Sequence, residues 1–335
     1  KMFFMRLAIV KLSAIGDIVH AMVVLQFIKD RHPNSSIDWF VDHSLRQVLE
    51  NNPHINKIQT IRLAEAKKKK SLKLLVEEIF KLRKLKKYDV VIDLQNLIKS
   101  GIISRLIPSK RTIGLDRNSS REKLASVFYN QKFIVDHSSN VIVRNATIIN
   151  QALDCNITKR DLYEKKPFLF YKKDLNLDYL LSKKLNVAII PGASYLAKTY
   201  PPSSYAKIIE KMNCNFILTW GNDTEYLLAQ EIKSLSPKTH LIDKITLNDL
   251  KLLLSKVDLV IGGDTGPVHM AWALGVPSIT IFGPTPGYRN TFETDINKII
   301  ESDSNVNPNK IDKNDYSIKD IEVENVVAKA MELLI

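Results

Sequence analysis

The residue types best suited to binding or catalysis lie in one segment, 262–285, with the sequence GGDTGPVHMAWALGVPSITIFGPT. Asp264, Thr265 and Gly266 directly follow a short apolar run, and His269 comes within one helical turn of them. A strand that ends in small residues and leads into a helix presents free backbone N–H groups and the positive end of the helix dipole to an anion. An ordinary βαβ turn needs only a cap at this point. The crowding of Asp, Thr, Gly and His therefore predicts a phosphate-binding site.

A second loop, KLSAIGDIVH at residues 11–20, follows the first apolar run of the chain. Gly16 allows close approach of the backbone to a ligand, and Asp17 occupies the place of a helix N-cap carboxylate. The loop is not G-x-G-x-x-G, so it fits a dinucleotide-binding fingerprint poorly. From the local sequence alone, Asp17 is either a helix cap or a carboxylate available for catalysis.

These two loops resemble those of a known family. D-T-G-x-x-H, followed by A-L-G-x-P and F-G-P-T, resembles the nucleotide-sugar site of the bacterial heptosyltransferases, glycosyltransferase family 9. The loop at residues 11–20 is similar to the opening loop of that family. Two middle segments, residues 88–106 and 119–130, resemble its type I branch, and the resemblance covers nearly the whole chain.

The resemblance implies an inverting, metal-independent transfer of heptose from ADP-heptose to the Kdo sugar of the lipid A inner core, in lipopolysaccharide or lipooligosaccharide synthesis. It implies that Asp17 is the catalytic base. The donor-binding residues that it implies are Gly16, Ser194, Lys198, Glu225, Asp264, Thr265, Gly266 and His269. The sequence has no D-x-D motif of the kind that many metal-dependent glycosyltransferases use, so we expect neither a metal nor another cofactor.

Two of the donor positions also have a local rationale. Lys198, in PGASYLAKTYPP, follows a predicted strand and precedes a predicted helix, where a lysine can meet a diphosphate. Glu225, in TWGNDTEYLL, lies just after a strand end, where an acidic residue often accepts hydrogen bonds from ribose hydroxyls. Glu225 is equally well explained as a first-turn carboxylate that the helix dipole favours.

Strand-like apolar runs alternate with helical patterns in both halves of the chain. The predicted strands are residues 6–11, 37–41, 57–61, 90–94, 112–115, 186–190, 215–220, 240–243, 257–261 and 276–282. Longer helices are predicted from about Ser138 to Leu153 and over residues 323–335. Such alternation predicts an α/β fold with parallel sheets covered on both faces and ligands at the carboxyl ends of the strands.

A length of 335 residues predicts two domains. The family resemblance implies two Rossmann-like αβα domains that face each other across a cleft, the GT-B architecture. We assign residues 1–165 to an acceptor-binding domain, 166–184 to a linker and 185–320 to a nucleotide-sugar-binding domain. Residues 321–335 are expected to form a helix that returns to the first domain.

The excess of positive charge lies in the first half of the chain. Residues 1–150 hold 27 Lys and Arg against 13 Asp and Glu, whereas residues 151–335 hold 22 against 23. Leu72, Leu75, Ile79 and Leu82 recur at helical spacing, which predicts an amphipathic helix with lysines on its solvent face but leaves the charge asymmetry unexplained. Phosphorylated lipid headgroups fit this charge better than nucleic acid, because no nucleic-acid-binding motif accompanies it. The predicted acceptor-binding residues are Lys67, Lys68, Lys69, Lys70, Lys99 and Arg121.

The remaining sequence features concern the cellular compartment of the protein. Cys155 and Cys214 have no metal-binding or redox spacing, which favours a reducing cytoplasm. No apolar run is long enough to span a membrane, and charged residues interrupt the apolar start of the chain. We therefore expect a cytoplasmic protein that associates peripherally with the inner face of the inner membrane.

Two alternative functions stay open at this stage. A type II heptosyltransferase, or another sugar transferase of the family, would share both loops. A non-catalytic module that binds nucleotides or nucleic acid would explain the basic charge and the Rossmann-like pattern, but it has no need of a carboxylate such as Asp17.

Overall fold

Short apolar runs rich in Val and Ile form the strands of two separate parallel sheets. The computed structural model describes residues 4–173, 176–307 and 311–335. The chain divides into two units, Lys1–Phe170 and Tyr171–Ile335. The division falls inside the predicted linker, residues 166–184, of which residues 174–175 lie outside the described part of the chain.

The first unit alternates strands and helices from its first strand onward. Its strands are β1 (Arg6–Val10), β2 (Ser36–Asp42), β3 (Lys57–Ile61), β4 (Tyr88–Asp93), β5 (Ser109–Leu115) and β6 (Gln131–Phe133). Its helices are α1 (Ile15–Met22), α2 (Val24–Arg31), α3 (Arg46–Leu49), α4 (Leu63–Lys68), α5 (Leu72–Arg83), α6 (Ile98–Leu106), α7 (Val141–Leu153) and α8 (Lys159–Tyr163).

The second unit repeats this alternation. Its strands are β7 (Asn186–Ile190), β8 (Asn215–Leu218), β9 (His240–Leu241), β10 (Leu259–Gly263), β11 (Ser278–Phe282) and β12 (Asn297–Glu301). Its helices are α9 (Pro202–Lys211), α10 (Asp223–Leu235), α11 (Leu247–Leu254), α12 (Gly266–Leu274), α13 (Gly287–Asn290) and α14 (Val323–Leu333).

Both sheets have the doubly wound strand order of a Rossmann-like domain. The order is β3-β2-β1-β4-β5-β6 in the first unit and β12-β11-β10-β7-β8-β9 in the second, and the described pairs are parallel. The chain reverses its direction of travel through the sheet between β1 and β4 in the first unit, and between β7 and β10 in the second. Ligands of such sheets bind at the carboxyl ends of the strands beside this switch point. The predicted fold class, α/β with two Rossmann-like domains, is confirmed.

Two edge strands are absent from the sequence-based prediction. β6 is only three residues long, and β12 (NKIIE) carries polar residues at both ends. Edge strands lack a partner on one side and are commonly short or charged, so they do not produce the continuous apolar run of a buried strand.

The last helix belongs to the second unit. Val323, Val326 and Ala330 of α14 are buried in the same core as residues of α9, and α14 also packs beside β11 and β12. The Tyr200 hydroxyl donates a hydrogen bond to the Ile321 carbonyl at 2.8 Å, just before α14 begins. This arrangement differs from the expectation that residues 321–335 pack on the first domain, because the apolar face of α14 is used within the second unit.

The amphipathic helix predicted in the lysine-rich segment is present as α5. Most of its apolar residues, however, face solvent instead of the protein core. Of the four apolar residues that define the helical spacing, only Leu82 is buried, whereas Leu72, Leu75 and Ile79 are exposed. The side of α5 that faces the protein instead carries the buried Glu78. The helical period was therefore informative about secondary structure and misleading about the buried face.

Candidate functional site

The turn between β10 and α12 has the geometry of an anion-binding site. β10 ends at Gly263, and Thr265 is the extended N-cap residue of α12, with φ −145°. Pro267 lies in the first turn of α12, and Gly275 ends the helix with a φ of 72°. The first N–H groups of a helix have no acceptor one turn before them and can bind an anion. In α12 this applies to Gly266, because Pro267 has no N–H and the Val268 N–H bonds the Thr265 carbonyl at 3.2 Å.

A buried carboxylate organises the side chains around this turn. Asp264 Oδ2 lies 2.6 Å from Lys198 Nζ and accepts a hydrogen bond from Thr285 Oγ1 at 3.0 Å. The same oxygen accepts a hydrogen bond from Asn290 Nδ2 at 3.4 Å. Asp264 Oδ1 lies 3.1 Å from His269 Nε2. Lys198, Asp264 and His269 are all buried, so the three predicted donor-site residues form one hydrogen-bonded cluster.

The charge state of this cluster follows from its contacts. Burial is the largest single influence on the pKa of Asp264 and by itself would raise it, but the Lys198 ammonium and the His269 hydrogen bond together outweigh burial and hold the pKa well below its ordinary value. Asp264 is therefore ionised at neutral pH. Because its oxygens are committed to neighbouring side chains, Asp264 can hold Lys198 and His269 in place.

Lys198 reaches Asp264 because two backbone segments approach each other closely. Lys198 ends a short 3-10 turn, Leu196–Lys198, in the segment that follows β7. A Cβ atom at Gly263 would lie 2.6 Å from the backbone oxygen of Lys198. Only glycine permits this approach without moving the backbone. The glycine pair that ends β10 therefore positions the lysine as well as the turn.

Glu225 occupies a neighbouring position at the carboxyl ends of the strands. It lies in the first turn of α10, and its Oε2 accepts a hydrogen bond from the Gly221 N–H at 2.7 Å. A Cβ atom at Gly192 would lie 2.2 Å from Glu225 Cγ, so Glu225 packs directly on the loop after β7. Ser194 is an exposed residue of that same loop. No described hydrogen bond joins Glu225 or Ser194 to the Asp264 cluster.

In the first unit, Asp17 combines a capping contact with solvent exposure. It is the third residue of α1, and its Oδ2 accepts a hydrogen bond from the Ala14 N–H at 3.3 Å. Ala14, and not Asp17, is therefore the N-cap residue, and Gly16 is the second residue of the helix. The carboxylate of Asp17 caps the backbone while the residue stays exposed at the surface.

Gln95 fixes the loop that carries Asp17. Gln95 Oε1 accepts hydrogen bonds from the Leu12 N–H at 2.7 Å and the Ser13 N–H at 3.1 Å. Gln95 Nε2 donates to the Ser13 carbonyl at 2.6 Å. Lys11 adds a bond from its Nζ to the Leu94 carbonyl at 3.0 Å. The loop after β1 is thus tied to the end of β4, the two strands that flank the switch point.

A buried pair supports Gln95 in turn. Asp93, the last residue of β4, is buried, and its Oδ1 accepts a hydrogen bond from the Gln95 N–H at 2.8 Å. The Tyr129 hydroxyl donates to Asp93 Oδ2 at 2.8 Å. Burial raises the pKa of Asp93 despite these bonds, and it also raises the pKa of Tyr129. The buried Asp93 and Tyr129 side chains therefore hold the turn after β4 in place.

The predicted acceptor-binding residues fall into two groups. Lys99 Nζ donates to Ser13 Oγ at 3.1 Å, which places Lys99 beside the Asp17 loop. Arg121 is exposed and precedes Glu122, whose carboxylate accepts a hydrogen bond from the Ile98 N–H at the start of α6. Lys67, Lys68, Lys69 and Lys70 are exposed residues at the end of α4 and just after it. Lys69 pairs with Glu65 at 2.7 Å, and no described bond joins this lysine run to the Asp17 loop.

Sequence reasoning missed three residues that hold these loops, namely Gln95, Thr285 and Asn290. Thr285 is the last residue of the F-G-P-T motif after β11, and Gln95 follows β4. Each of these strands pairs with a strand that precedes a predicted site loop. The carboxyl ends of neighbouring parallel strands meet at the same edge of a sheet, so this adjacency was the available signal.

Two other kinds of feature are absent from the described part of the chain. No group of three or more His, Cys, Asp or Glu side chains there is arranged to hold a metal ion. None of the described helices is long and apolar enough to cross a membrane.

Comparison with known proteins gives consistent matches. The family model for glycosyltransferase family 9 (heptosyltransferase) matches residues 79–315. Lipopolysaccharide heptosyltransferase 1 of Campylobacter coli is 38% identical over 98% of this chain and 99% of its own. The Pseudomonas aeruginosa protein of the same name is 27% identical over 86% of this chain and 81% of its own. The structure of E. coli heptosyltransferase WaaC with ADP has the same fold, with a TM-score of 0.78 at 22% identity, covering 98% of this chain and 100% of that one.

The Asp264 cluster leads to a stability prediction. Asp264→Asn leaves the buried Lys198 ammonium without its counter-ion, and we expect it to lower the free energy of unfolding by about 3 to 5 kcal/mol. Because the pKa of Asp264 is depressed, its stabilisation is fully present above the ordinary value of 3.8 and is lost only as the pH falls through the depressed folded value. Urea unfolding at pH values of about 5 to 8 should therefore give the same loss throughout.

A double-mutant cycle supplies the control. Asp264→Asn combined with Lys198→Met removes both charges, so the double variant should lose clearly less than the sum of the two single losses. Glu324→Gln breaks the exposed pair with Lys211 and should change little. Additive losses in the cycle would contradict a coupled pair.

Proposed function

Since the chain belongs to glycosyltransferase family 9, the heptosyltransferase family, we propose that it transfers heptose from ADP-heptose to the Kdo sugar of the lipid A inner core in lipopolysaccharide synthesis. The observation that carries this proposal is the buried Lys198–Asp264–His269 cluster beside the N-terminus of α12. This arrangement suits a leaving diphosphate. The names of the relatives, lipopolysaccharide heptosyltransferase 1, support the same substrate class.

In the proposed reaction the second unit binds the donor. As the bond between the anomeric carbon and the diphosphate breaks, negative charge develops on the leaving oxygen. Lys198, His269 and the N–H groups of Thr265 and Gly266 stabilise that charge, because dipoles and cations that are already oriented need no reorganisation. Asp264 acts as a positioning residue that holds Lys198 and His269.

The nucleoside part of the donor has its own proposed contacts. Glu225 accepts hydrogen bonds from the ribose hydroxyls, since a carboxylate keeps acceptor capacity after its one bond to the Gly221 N–H. Ser194 donates its hydroxyl to a phosphate oxygen from the exposed loop after β7. Gly16, in the first unit, allows the backbone to approach the donor closely.

Asp17 is the proposed catalytic base. The acceptor hydroxyl oxygen attacks the anomeric carbon, its proton passes to Asp17, and the electron pair of the broken bond leaves with ADP. A single displacement of this kind inverts the anomeric configuration. The exposed carboxylate on a loop fixed by Gln95 supports this role. Because Lys198 and the α12 N-terminus supply positive charge at the diphosphate, the proposed reaction uses neither a metal nor another cofactor.

The proposed location follows from the acceptor. Kdo-lipid A is anchored in a membrane, and the first half of the chain carries the whole excess of positive charge. We therefore place the protein in the cytoplasm, associated peripherally with the inner face of the inner membrane. Lys67 to Lys70, Lys99 and Arg121 meet the phosphates and carboxylates of the acceptor.

A transfer assay tests the proposed function directly. Purified protein, ADP-heptose and Kdo-lipid A in excess EDTA should yield ADP and a product that is heavier by one heptose, with inverted anomeric configuration. Mass spectrometry and NMR of the product supply the two readouts. Transfer only to an acceptor that already bears a heptose would identify a type II activity instead. Activity that is lost in EDTA and restored by Mg²⁺ or Mn²⁺ would overturn metal independence.

The substitution Asp17→Asn distinguishes a catalytic base at this position from a helix cap. Asparagine caps a helix well but cannot accept a proton at neutral pH, so turnover should fall by roughly 10²- to 10⁴-fold while donor affinity stays near that of the wild type. Asp161→Asn is the matched control, because Asp161 accepts hydrogen bonds from Thr158 at the same third position of α8. Near-normal turnover of Asp17→Asn would leave Asp17 as a cap alone.

Substitutions in the second unit should weaken donor binding, whereas substitutions in the first unit should weaken acceptor binding. Lys198→Ala and Glu225→Ala should weaken ADP binding, measured by calorimetry. Neutralising Lys67 to Lys70 or Arg121 should instead raise the KM for the acceptor, most strongly at low salt, because exposed charges are screened over about 8 Å at physiological ionic strength. Equal effects of both sets on donor and acceptor would refute this division of roles.

A further inference from the structure

α5 carries a row of apolar side chains on its outer face. Leu72, Leu75, Val76, Ile79 and Phe80 are all exposed, and the exposed fractions of Leu72 and Phe80 reach 77% and 60%. Their spacing places them on one side of the helix. Single exposed apolar residues are ordinary, but a continuous apolar face on one helix indicates a contact surface.

The inner face of α5, which adjoins the apolar row, is fixed to the protein. Leu82 is buried in the core of the first unit, beside Ile103 and Ile107 of the α6 region. Glu78 is buried, and its carboxylate bonds Arg62 Nε at 2.8 Å and Lys81 Nζ at 3.3 Å. Turning the helix to bury the whole apolar row would move Glu78 away from Arg62 and break that pair. The outward orientation is therefore built into the unit.

Neighbouring elements also expose apolar side chains. α5 packs beside α6, and α6 packs beside the 3-10 turn Lys123–Phe128. Ile102 of α6 and Leu124 and Val127 of the turn are also exposed. We call the five apolar residues of α5, together with Ile102, Leu124 and Val127, the apolar face.

Positive charge surrounds the apolar face. Residues 62–87 hold 11 Lys and Arg against 3 Asp and Glu. The three acids are all paired, Glu65 with Lys69 and both Glu77 and Glu78 with Arg62. An apolar helix face bordered by lysines is typical of a helix that lies in the plane of an anionic membrane surface. A second copy of this chain would bring two such basic faces together, so charge repulsion disfavours a dimer here.

We propose that the apolar face docks on an anionic phospholipid bilayer, with Leu72 and Phe80 inserted below the headgroups and the surrounding lysines at the phosphates. This inference rests on the proposed function, because it explains how a water-exposed Asp17 loop meets a lipid-anchored acceptor. α6 connects the two regions, since Lys99 near its start bonds Ser13 in the Asp17 loop. The docked face thus lies on the same unit as the proposed base, and α6, which packs beside α5, contacts the loop that carries that base.

Vesicle co-sedimentation tests the apolar part of the proposal. Wild-type protein should bind vesicles of phosphatidylethanolamine and phosphatidylglycerol and should not bind phosphatidylcholine vesicles. Leu72→Gln combined with Phe80→Gln should weaken binding at least about tenfold, because two large apolar side chains lose their burial in the bilayer. The matched control is Leu235→Gln with Met331→Gln, at exposed fractions of 50% and 52% in the second unit, and it should bind as the wild type does.

A second pair of variants tests the charge. Lys73→Gln and Lys84→Gln should each weaken binding by roughly fivefold, with a smaller loss at high salt. Lys183→Gln and Lys256→Gln remove exposed lysines of the second unit and should have little effect. Unchanged urea-unfolding midpoints would confirm that all these variants stay folded.

Transfer assays separate this proposal from the proposed function. The Leu72–Phe80 double variant should keep wild-type turnover on a deacylated, water-soluble acceptor and lose turnover on the same acceptor anchored in vesicles. Equal loss on both acceptors, or wild-type activity without vesicle binding, would overturn membrane docking and leave heptose transfer intact. A wild-type dimer that the double variant abolishes, without vesicle binding, would assign the apolar face to a second copy and also overturn it. Absence of transfer to either acceptor, with vesicle binding retained, would contradict only the proposed function.

Discussion

A buried carboxylate must be paired, and this requirement determines the arrangement of the second unit at its switch point. Asp264 is ionised inside the protein, so its charge needs the Lys198 ammonium and the hydrogen bonds from Thr285 and Asn290. These partners come from the segments after β7 and β11, whereas Asp264 follows β10. One carboxylate therefore ties together the loops at three neighbouring strand ends, through an ion pair and two hydrogen bonds. Gly263 contributes by allowing the Lys198 backbone to come close enough.

In the first unit, the loops beside the switch point are held together without an ion pair. Gln95 ties the loop after β1 to the end of β4 through neutral hydrogen bonds, and the buried Asp93 and Tyr129 support Gln95 from below. Asp17 is left exposed at the rim of this framework. The contrast suits the proposed chemistry. A site that stabilises a developing charge gains from buried, preoriented partners, while a base must reach a hydroxyl that arrives from outside.

Much of the fold could be predicted from the sequence. Parallel strands that are buried on both faces have continuous apolar sequences, and such runs are easy to recognise in this chain. The edge strands β6 and β12 lack that pattern. Lys198 and Glu225 each follow a predicted strand, but only the family resemblance selected them as donor-site candidates from among the other charged residues. Gln95, Thr285 and Asn290 bond partners far away in sequence, and such bonds leave no periodic pattern. For α5, helical spacing indicated a helix, but the buried side was decided by the Arg62–Glu78 pair, which spacing does not encode.

The self-contained nature of the Asp264 cluster has an evolutionary consequence. The bonds of Asp264 to Lys198, His269, Thr285 and Asn290 all lie within the second unit. Changes to the lysine-rich helices of the first unit can therefore accumulate without disturbing the preoriented charges at α12. Under the proposed division, in which the first unit binds the acceptor and the second unit binds the donor, a lineage can acquire new acceptors by altering one half of the gene while it inherits the other half unchanged. Diversification of acceptor choice around a constant donor is the expected history of such a chain.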